Sequence, residues 1–228
     1  MFLSKTLNKL FYEINWDKPA KVADKIMKEF FRDYLDSSKL TAKELLKSLE
    51  KSEKFPLFVN EVNKLDCSLL YKGGLHGQDH IDRVSILAFA LALNLNLSDE
   101  DIVICLECAK YHDIGRVSDG HDKEHGLRGA RKYALVDTGF SKDDKNVIAV
   151  SIAAHSVYDN ETMNIFEQWN GLRKEQYARS KFFLEILKDA DALDRFRVND
   201  TSLNPKFLRI PYSFELLRVG CEMFHAAH

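Results

Sequence analysis

Apolar residues recur at intervals of three and four along almost the whole chain, and strict apolar/polar alternation is rare. That spacing is the mark of helices with one buried face, not of half-buried strands. Ten glycines and four prolines in 228 residues leave the pattern little interrupted. It predicts helices over about 20–36, 41–52, 56–65, 77–95, 99–112, 122–135, 141–154, 162–170, 173–194 and 211–224. Turn residues collect at Gly73-Gly74, Asp113–Gly120, Asp137–Gly139 and Asn199–Pro205. Ser98, followed by Asp99 and Glu100, and Ser141, followed by Lys142-Asp143-Asp144, have the composition of helix N-caps.

The expected fold is therefore all-α: a helical bundle over residues 66–228 with an N-terminal helical extension over 1–65. The extension carries none of the chemically conspicuous residues, and is expected to pack on the bundle, shield it or mediate a homo-oligomer. The linker signal, around Lys64–Gly74, is weak, so one compact unit is an equal alternative.

Several apolar faces lead directly into ionisable residues. From Gly77 onward, Ile81, Val84, Ala88 and Leu91 share one face and Ile86, Phe89 and Leu93 another, so this helix is expected at the centre of the core. His80, in its first turn, would be held rigidly with its imidazole at one end. The stripe Ile102, Leu106, Ala109 runs into His112-Asp113, with Gly115 expected to end the helix. Successive helical side chains diverge by about 100°, so one imidazole and one carboxylate there can bind neighbouring positions of a single ion.

Leu184, Leu187, Asp191 and Asp194 share a side of the next long helix. A carboxylate emerging from an apolar stripe needs a compensating cation or hydrogen bonds, which favours Asp191 over Asp189 as a ligand. His125 opens a helix and His155 ends the stripe Ile148, Ile152. If both converge on the site, a second ion becomes available, with Asp113 as a bridge. The second His-Asp pair, His121-Asp122, lies in a polar run and is not assigned as ligand. Six of the eight histidines (76, 80, 112, 121, 125 and 155) fall within residues 76–155.

Composition adds bounds. The chain is 45% hydrophobic, with a net charge of −2 and a pI near 6.5, and so lacks the basic field that draws proteins to nucleic acid. Four cysteines are too few for a disulfide scaffold; Cys105 and Cys108 share a helix face and are read as packing residues. No run approaches the roughly 18–20 apolar residues of a membrane span, and the N-terminus does not read as a secretory signal. A soluble cytoplasmic protein is the default expectation.

His80 to Val84 (H-x-x-R-V), Tyr111 to Arg116 (Y-H-D-I-G-R) and Asp189 to Asp194 (D-A-D-x-L-D) stand in the order H…HD…D. Over roughly residues 70–200 the chain thereby resembles the HD-domain superfamily of metal-dependent phosphohydrolases. The resemblance implies an all-α domain that hydrolyses phosphate esters, often nucleotides, with a metal-activated water. It implies His80, His112, Asp113 and Asp191 as metal ligands. His125 and His155 look like the added histidines of the two-metal subgroup, which includes cyclic-nucleotide and cyclic-dinucleotide phosphodiesterases, although the G-Y-P element of the cyclic-dinucleotide branch is absent.

The expected activity is a phosphomonoesterase or phosphodiesterase acting on a nucleotide or similar small phosphate ester. One or two divalent ions are expected, with Mn, Fe, Co or Ni better suited than Mg alone to mixed imidazole and carboxylate donors. Asp113 is placed in the catalytic centre. Arg83, Lys110 and Arg116 are candidates to hold phosphate oxygens, and His76 or His121 to protonate the leaving group. Arg195 and Arg197 read as solvated or helix C-terminal charges. Two other functions compete: an HD-fold di-iron oxygenase using a similar H…HD…H…H…D set, and a non-catalytic nucleotide- or metal-binding regulatory module.

Overall fold

The computed structural model describes residues 3–227, and among these it contains eleven α-helices and no strand. They are α1 (Lys5–Asn8), α2 (Asp17–Phe30), α3 (Ala42–Glu50), α4 (Phe55–Val62), α5 (Gln78–Asn94), α6 (Asp99–Tyr111), α7 (His125–Tyr133), α8 (Lys142–Ala154), α9 (Thr162–Gln168), α10 (Tyr177–Leu193) and α11 (Leu217–Ala227). Among the described residues no helix is long and apolar enough to cross a membrane.

Local chemistry accounts for the helix starts. Ser98 Oγ accepts from Asp101 N and Ser141 Oγ from Asp144 N, each with acids in the first turn. Thr41 and Glu44 form a reciprocal capping box at α3. The expected helix over 20–36 is shorter than its pattern suggested: α2 stops at Phe30, and Arg32–Tyr34 is a 3-10 turn that tucks Phe31 edge-on against Phe196, 5.6 Å between centroids. The expected helices over 173–194 and 211–224 likewise begin as 3-10 turns, Lys174–Gln176 and Pro211–Phe214. That over 122–135 starts only at His125.

Helix α5 is the axis of the molecule, buried from His80 to Ala92. It packs between α6 and α10, while α8 packs on α7 and α10, and α11 on α2 and α3. Cys105 and Cys108 are buried free thiols in the α6 packing face, and burial pushes both up from the usual thiol range.

The first 65 residues enter the same apolar cluster. Leu7, Leu10, Ile26, Leu45, Leu49 and Phe58 are buried together with Ile81, Phe89, Leu106 and Leu217. Phe58 stacks on Phe89 of α5 at 4.9 Å. Polar contacts join the same parts: Ser4 Oγ donates to Asp82 and Thr6 Oγ1 to Asp79, both on α5, and the buried Glu222 of α11 accepts from Ala42 N at 2.7 Å. Residues 4–13, for which no helix was expected, form α1 and a single π-helical turn (Lys9–Glu13) that buries Leu10.

Truncating Leu10 tests this continuity. Leu10→Ala is expected to lower unfolding stability by about 2–5 kcal/mol in one cooperative transition. A two-step denaturation curve, with only the first step shifted, would show instead that residues 1–65 fold as a separate unit.

Candidate metal centre

Five helix ends meet at one point. His80 comes from the first turn of α5, His112 and Asp113 directly follow α6, His125 opens α7, His155 directly follows α8, and Asp191 lies in the last turn of α10. The approach of α7 depends on glycine. A Cβ at Gly115 would lie 1.9 Å from the carbonyl oxygen of His125, and one at Gly126 2.7 Å from the carbonyls of Ile152 and Ala153. Gly115, expected to end the helix, lies just beyond α6 and is required there by close approach to α7 rather than by a positive φ, which among described residues is found at Asn96, Gly139 and Gly171.

Each imidazole of the cluster has its Nδ1 committed. His80 Nδ1 lies 2.7 Å from Asp194 Oδ2, His112 Nδ1 2.8 Å from the Ala109 carbonyl and His155 Nδ1 2.7 Å from the Ile152 carbonyl, and His125 Nδ1 bonds the Asp122 carbonyl. In the neutral ring the single proton therefore sits on Nδ1, leaving a lone pair on Nε2. All four Nε2 atoms turn inward. His80 and His112 face each other at 3.1 Å, and His125 and His155 at 2.8 Å.

Asp113 stands between the two pairs. Its Oδ2 is 3.5 and 3.6 Å from Nε2 of His80 and His112, and its Oδ1 is 3.1 and 3.5 Å from Nε2 of His125 and His155. Asp191 Oδ1 adds a second carboxylate oxygen 3.4 Å from His80 Nε2. Donor atoms of His80, His112 and Asp191 lie within 4.8 Å of one another, as do those of His112, Asp113 and His155.

Protons do not satisfy this arrangement. Burial pushes His112 down to about 3, and burial also lowers His155, so both are neutral at physiological pH. Burial opposes ionisation of both Asp113 and Asp191; the Arg197 guanidinium holds Asp191 well below the usual carboxylate range, whereas Asp113 has no such fixed cation of its own among the four imidazoles. Asp113 Oδ2 is buried without a hydrogen-bond donor. Four inward Nε2 atoms beside two carboxylates, with one carboxylate oxygen unpartnered, make a donor set that fits a cation.

A second layer orients the first. Asp194 is fully buried, binds His80 Nδ1, and takes a two-point contact from Arg83, Nε at 2.6 Å and Nη2 at 3.1 Å. Burial pushes this carboxyl up, but Arg83 and His80 together bring it down to about 2. Sequence reasoning placed Asp194 beside Asp191 without giving it a role. The signal was present: His80 and Arg83 are one turn apart on α5, and Asp191 and Asp194 one turn apart on α10.

The cations expected at the cluster are not all found there. Arg83 is tied behind His80 by Asp194, and Lys110 is buried in an ion pair with Glu107 at 2.5 Å, itself bonded by Tyr133 Oη at 3.2 Å. Neither faces the cluster, because each buried cation is drawn to the nearest buried carboxylate. Arg116 remains at the site, with Nε 3.3 Å from Asp113 Oδ1. Arg197 joins it: its Nη2 donates to Asp191 Oδ1 at 3.1 Å, Nη1 lies 3.9 Å from Asp194 Oδ2, and Nε is buried without a hydrogen-bond acceptor. The reading of Arg197 as a solvated charge is therefore corrected, whereas Arg195 is exposed and bonds the Ser202 carbonyl.

His121 is exposed on its loop and does not meet the cluster. His76 is buried, with its ring edge-on to His80 at 5.8 Å between centroids. Asp189 is structural, accepting from Arg209 N, Ile210 N and Ser213 Oγ.

A family model described as HD domain matches residues 77–195, more than half of the chain, from the cap of α5 to just past Asp194. No curated protein and no solved structure matches the chain.

The buried neutral histidines make the metal-free protein sensitive to acid. His112 and His155 have folded pKa values below the 6.5 of the unfolded chain, so below about pH 6.5 the unfolded state binds more protons and stability falls with pH. The expected slope is at most about 1.4 kcal/mol per pH unit for each group. Urea denaturation in chelator between pH 7 and 4 measures it, with His112→Asn expected to flatten the dependence. A wild-type stability that does not change over this range would contradict the assignment.

Proposed function

Taking as premise that this chain belongs to the HD-domain family, whose members are generally metal-dependent hydrolases, we propose that it is a phosphohydrolase acting on small phosphate esters, nucleotides foremost. The observation that carries this reading is the division of Asp113: one oxygen faces the His80/His112 pair and the other the His125/His155 pair. His80, His112, Asp113 and Asp191 would hold one divalent ion, and Asp113, His125 and His155 would be placed to hold a second. Such ions supply Lewis acidity, acidifying a water molecule and polarising a phosphoryl oxygen.

The protein's own groups complete the site. Arg116 and Arg197 stand beside the two ligand carboxylates and present guanidinium groups suited to phosphate oxygens. Arg197 Nε and Nη1 make no hydrogen bond, Nη1 standing 3.9 Å from Asp194, so an anion could take donors that the protein leaves without an acceptor. The Arg83–Asp194–His80 chain fixes the first imidazole against rotation. Four imidazoles and two carboxylates favour Mn, Fe, Co or Ni over Mg alone. The donor set of four histidines would serve a di-iron oxygenase equally well; the two arginines beside it favour the phosphate reading.

The test combines elemental analysis with hydrolysis of p-nitrophenyl phosphate, bis(p-nitrophenyl) phosphate and a nucleotide panel in added Mn²⁺. Wild type is expected to hold up to two ions and to turn over at least one ester. Asp113→Ala is expected to lose both properties, His125→Ala and His155→Ala to lose one ion, and Asp194→Asn to lose about 10–100-fold in metal affinity or rate. Bound iron with O₂ consumption and no ester turnover would support the oxygenase. Tight nucleotide binding without turnover under several metals would support a regulatory module.

A further inference from the structure

Two loops meet just outside the His125/His155 pair. Ser156, directly after His155, donates its Oγ to the carbonyl of Lys123, two residues before His125, at 2.6 Å. Across this tie the Lys123 ammonium lies over the ring of Tyr158, 4.2 Å from its centroid, and 3.7 Å from Glu161 Oε2. A cation thus covers one face of the ring. Tyr158 is nevertheless 62% exposed, so the other face is open.

The backbone that carries this ring is held on both sides. The Val157 carbonyl accepts from the buried ammonium of Lys188 at 2.8 Å, and Tyr158 N donates to Glu161 Oε2 at 3.0 Å. The Asp159 carboxylate takes Lys188 Nζ at 2.8 Å and Arg209 Nη2 at 2.8 and 3.0 Å. Lys188 stands one turn before Asp191, so the helix that delivers a candidate ligand also anchors this loop. A tyrosine on an unanchored surface loop loses main-chain freedom whenever something stacks on it. Tyr158 has already lost that freedom on folding, which lowers the cost of stacking.

Position favours the same use. Tyr158 follows His155 by three residues and Lys123 precedes His125 by two, spans of at most about 11 and 7 Å of extended chain. A ligand whose phosphate lies among the imidazoles, and which continues through a sugar, therefore has its far end within reach of the ring. Aromatic rings and nucleobases share the flat, polarisable faces that stack.

We propose that Tyr158 is the base-recognition residue of this site: its open face stacks on the base of a nucleotide whose phosphate lies at the cluster, while Lys123 holds the ring from behind. The proposal rests on the phosphohydrolase reading and narrows its substrates to phosphate esters that carry a planar ring. Stacking accepts every base, because every base presents a π-face, so purine and pyrimidine nucleotides are both substrates. No bond is made or broken at Tyr158. Its contribution is binding shared by ground and transition states, and so falls on KM and not on kcat.

The test compares wild type, Tyr158→Ala and Tyr158→Phe, with Mn²⁺, on adenosine 5′-phosphate, uridine 5′-phosphate and the base-free ribose 5-phosphate. Tyr158→Ala is expected to raise KM for both nucleotides by about 5–100-fold, with kcat and the KM for ribose 5-phosphate within about twofold of wild type. Tyr158→Phe, which keeps the ring, is expected to behave as wild type. An equal rise in KM for ribose 5-phosphate would overturn the proposal, as would a Tyr158→Ala enzyme that keeps its nucleotide KM. A second readout needs neither metal nor turnover. In saturation-transfer NMR of the metal-free protein with adenosine, the base protons should be saturated more strongly than the ribose protons in wild type and Tyr158→Phe, and this difference should vanish in Tyr158→Ala. A difference that persists in Tyr158→Ala would place the base elsewhere and overturn the assignment. A wild type that hydrolyses none of the three esters would sink the phosphohydrolase reading, and the adenosine spectra would still decide whether Tyr158 holds a base.

Discussion

The carboxylate of Asp113 is almost fully buried and faces the Nε2 atoms of four imidazoles whose Nδ1 atoms are bonded elsewhere. Electrostatically this is an unstable way to end five helices unless positive charge enters among them. Burying an isolated charge is far more costly than any single contact in the core repays, so a cation balancing Asp113 would make the convergence tolerable. The identities of the neighbouring groups follow from that constraint. Each histidine gives its proton outward to a carbonyl or to Asp194, because only then is Nε2 free to face the centre.

The scaffold is arranged to hold those positions. Helix α5 is buried on all sides, which removes rotational freedom from His80, and Arg83 one turn later locks Asp194 behind it. Helices α6 and α8 deliver His112 and His155 at their C-terminal ends, where the imidazole Nδ1 can bond a carbonyl of its own last turn. The close contacts at Gly115 and Gly126 let α7 approach near enough for His125 to complete the second pair. Packing density and donor geometry are thus the same problem here: a methyl group at either glycine would move a ligand.

Residues before α5 contribute to the rigidity of the same helix. Ser4 and Thr6 bond Asp82 and Asp79, which flank His80 in the sequence, and Leu7, Leu10 and Phe58 pack into the apolar cluster that α5 shares. None of the six candidate metal ligands lies in this segment, so its part in the site is mechanical.

Much of this was legible in the sequence, and the boundary has a physical basis. Helical periodicity reports which faces are apolar, and apolar stripes running into His80, His112-Asp113 and Asp191 already marked helix ends where buried polarity needs compensation. The six candidate ligands could be named because each sits at such an end. Periodicity carries no information about which buried charges meet across helices. Arg83 could have faced a phosphate or Asp194, Lys110 a phosphate or Glu107, and Arg197 solvent or Asp191; those choices depend on distances between α5, α6 and α10 that no local pattern encodes. The same holds for Lys123 and Tyr158, which are remote in sequence and meet only across two loops. The chain by itself determined most of the helices, the donor residues and their helix-end positions, because these follow from local spacing. Only the tertiary structure decided how the donors divide between the two oxygens of Asp113 and which cations are left to face a ligand, because both depend on how separate helix ends approach one another.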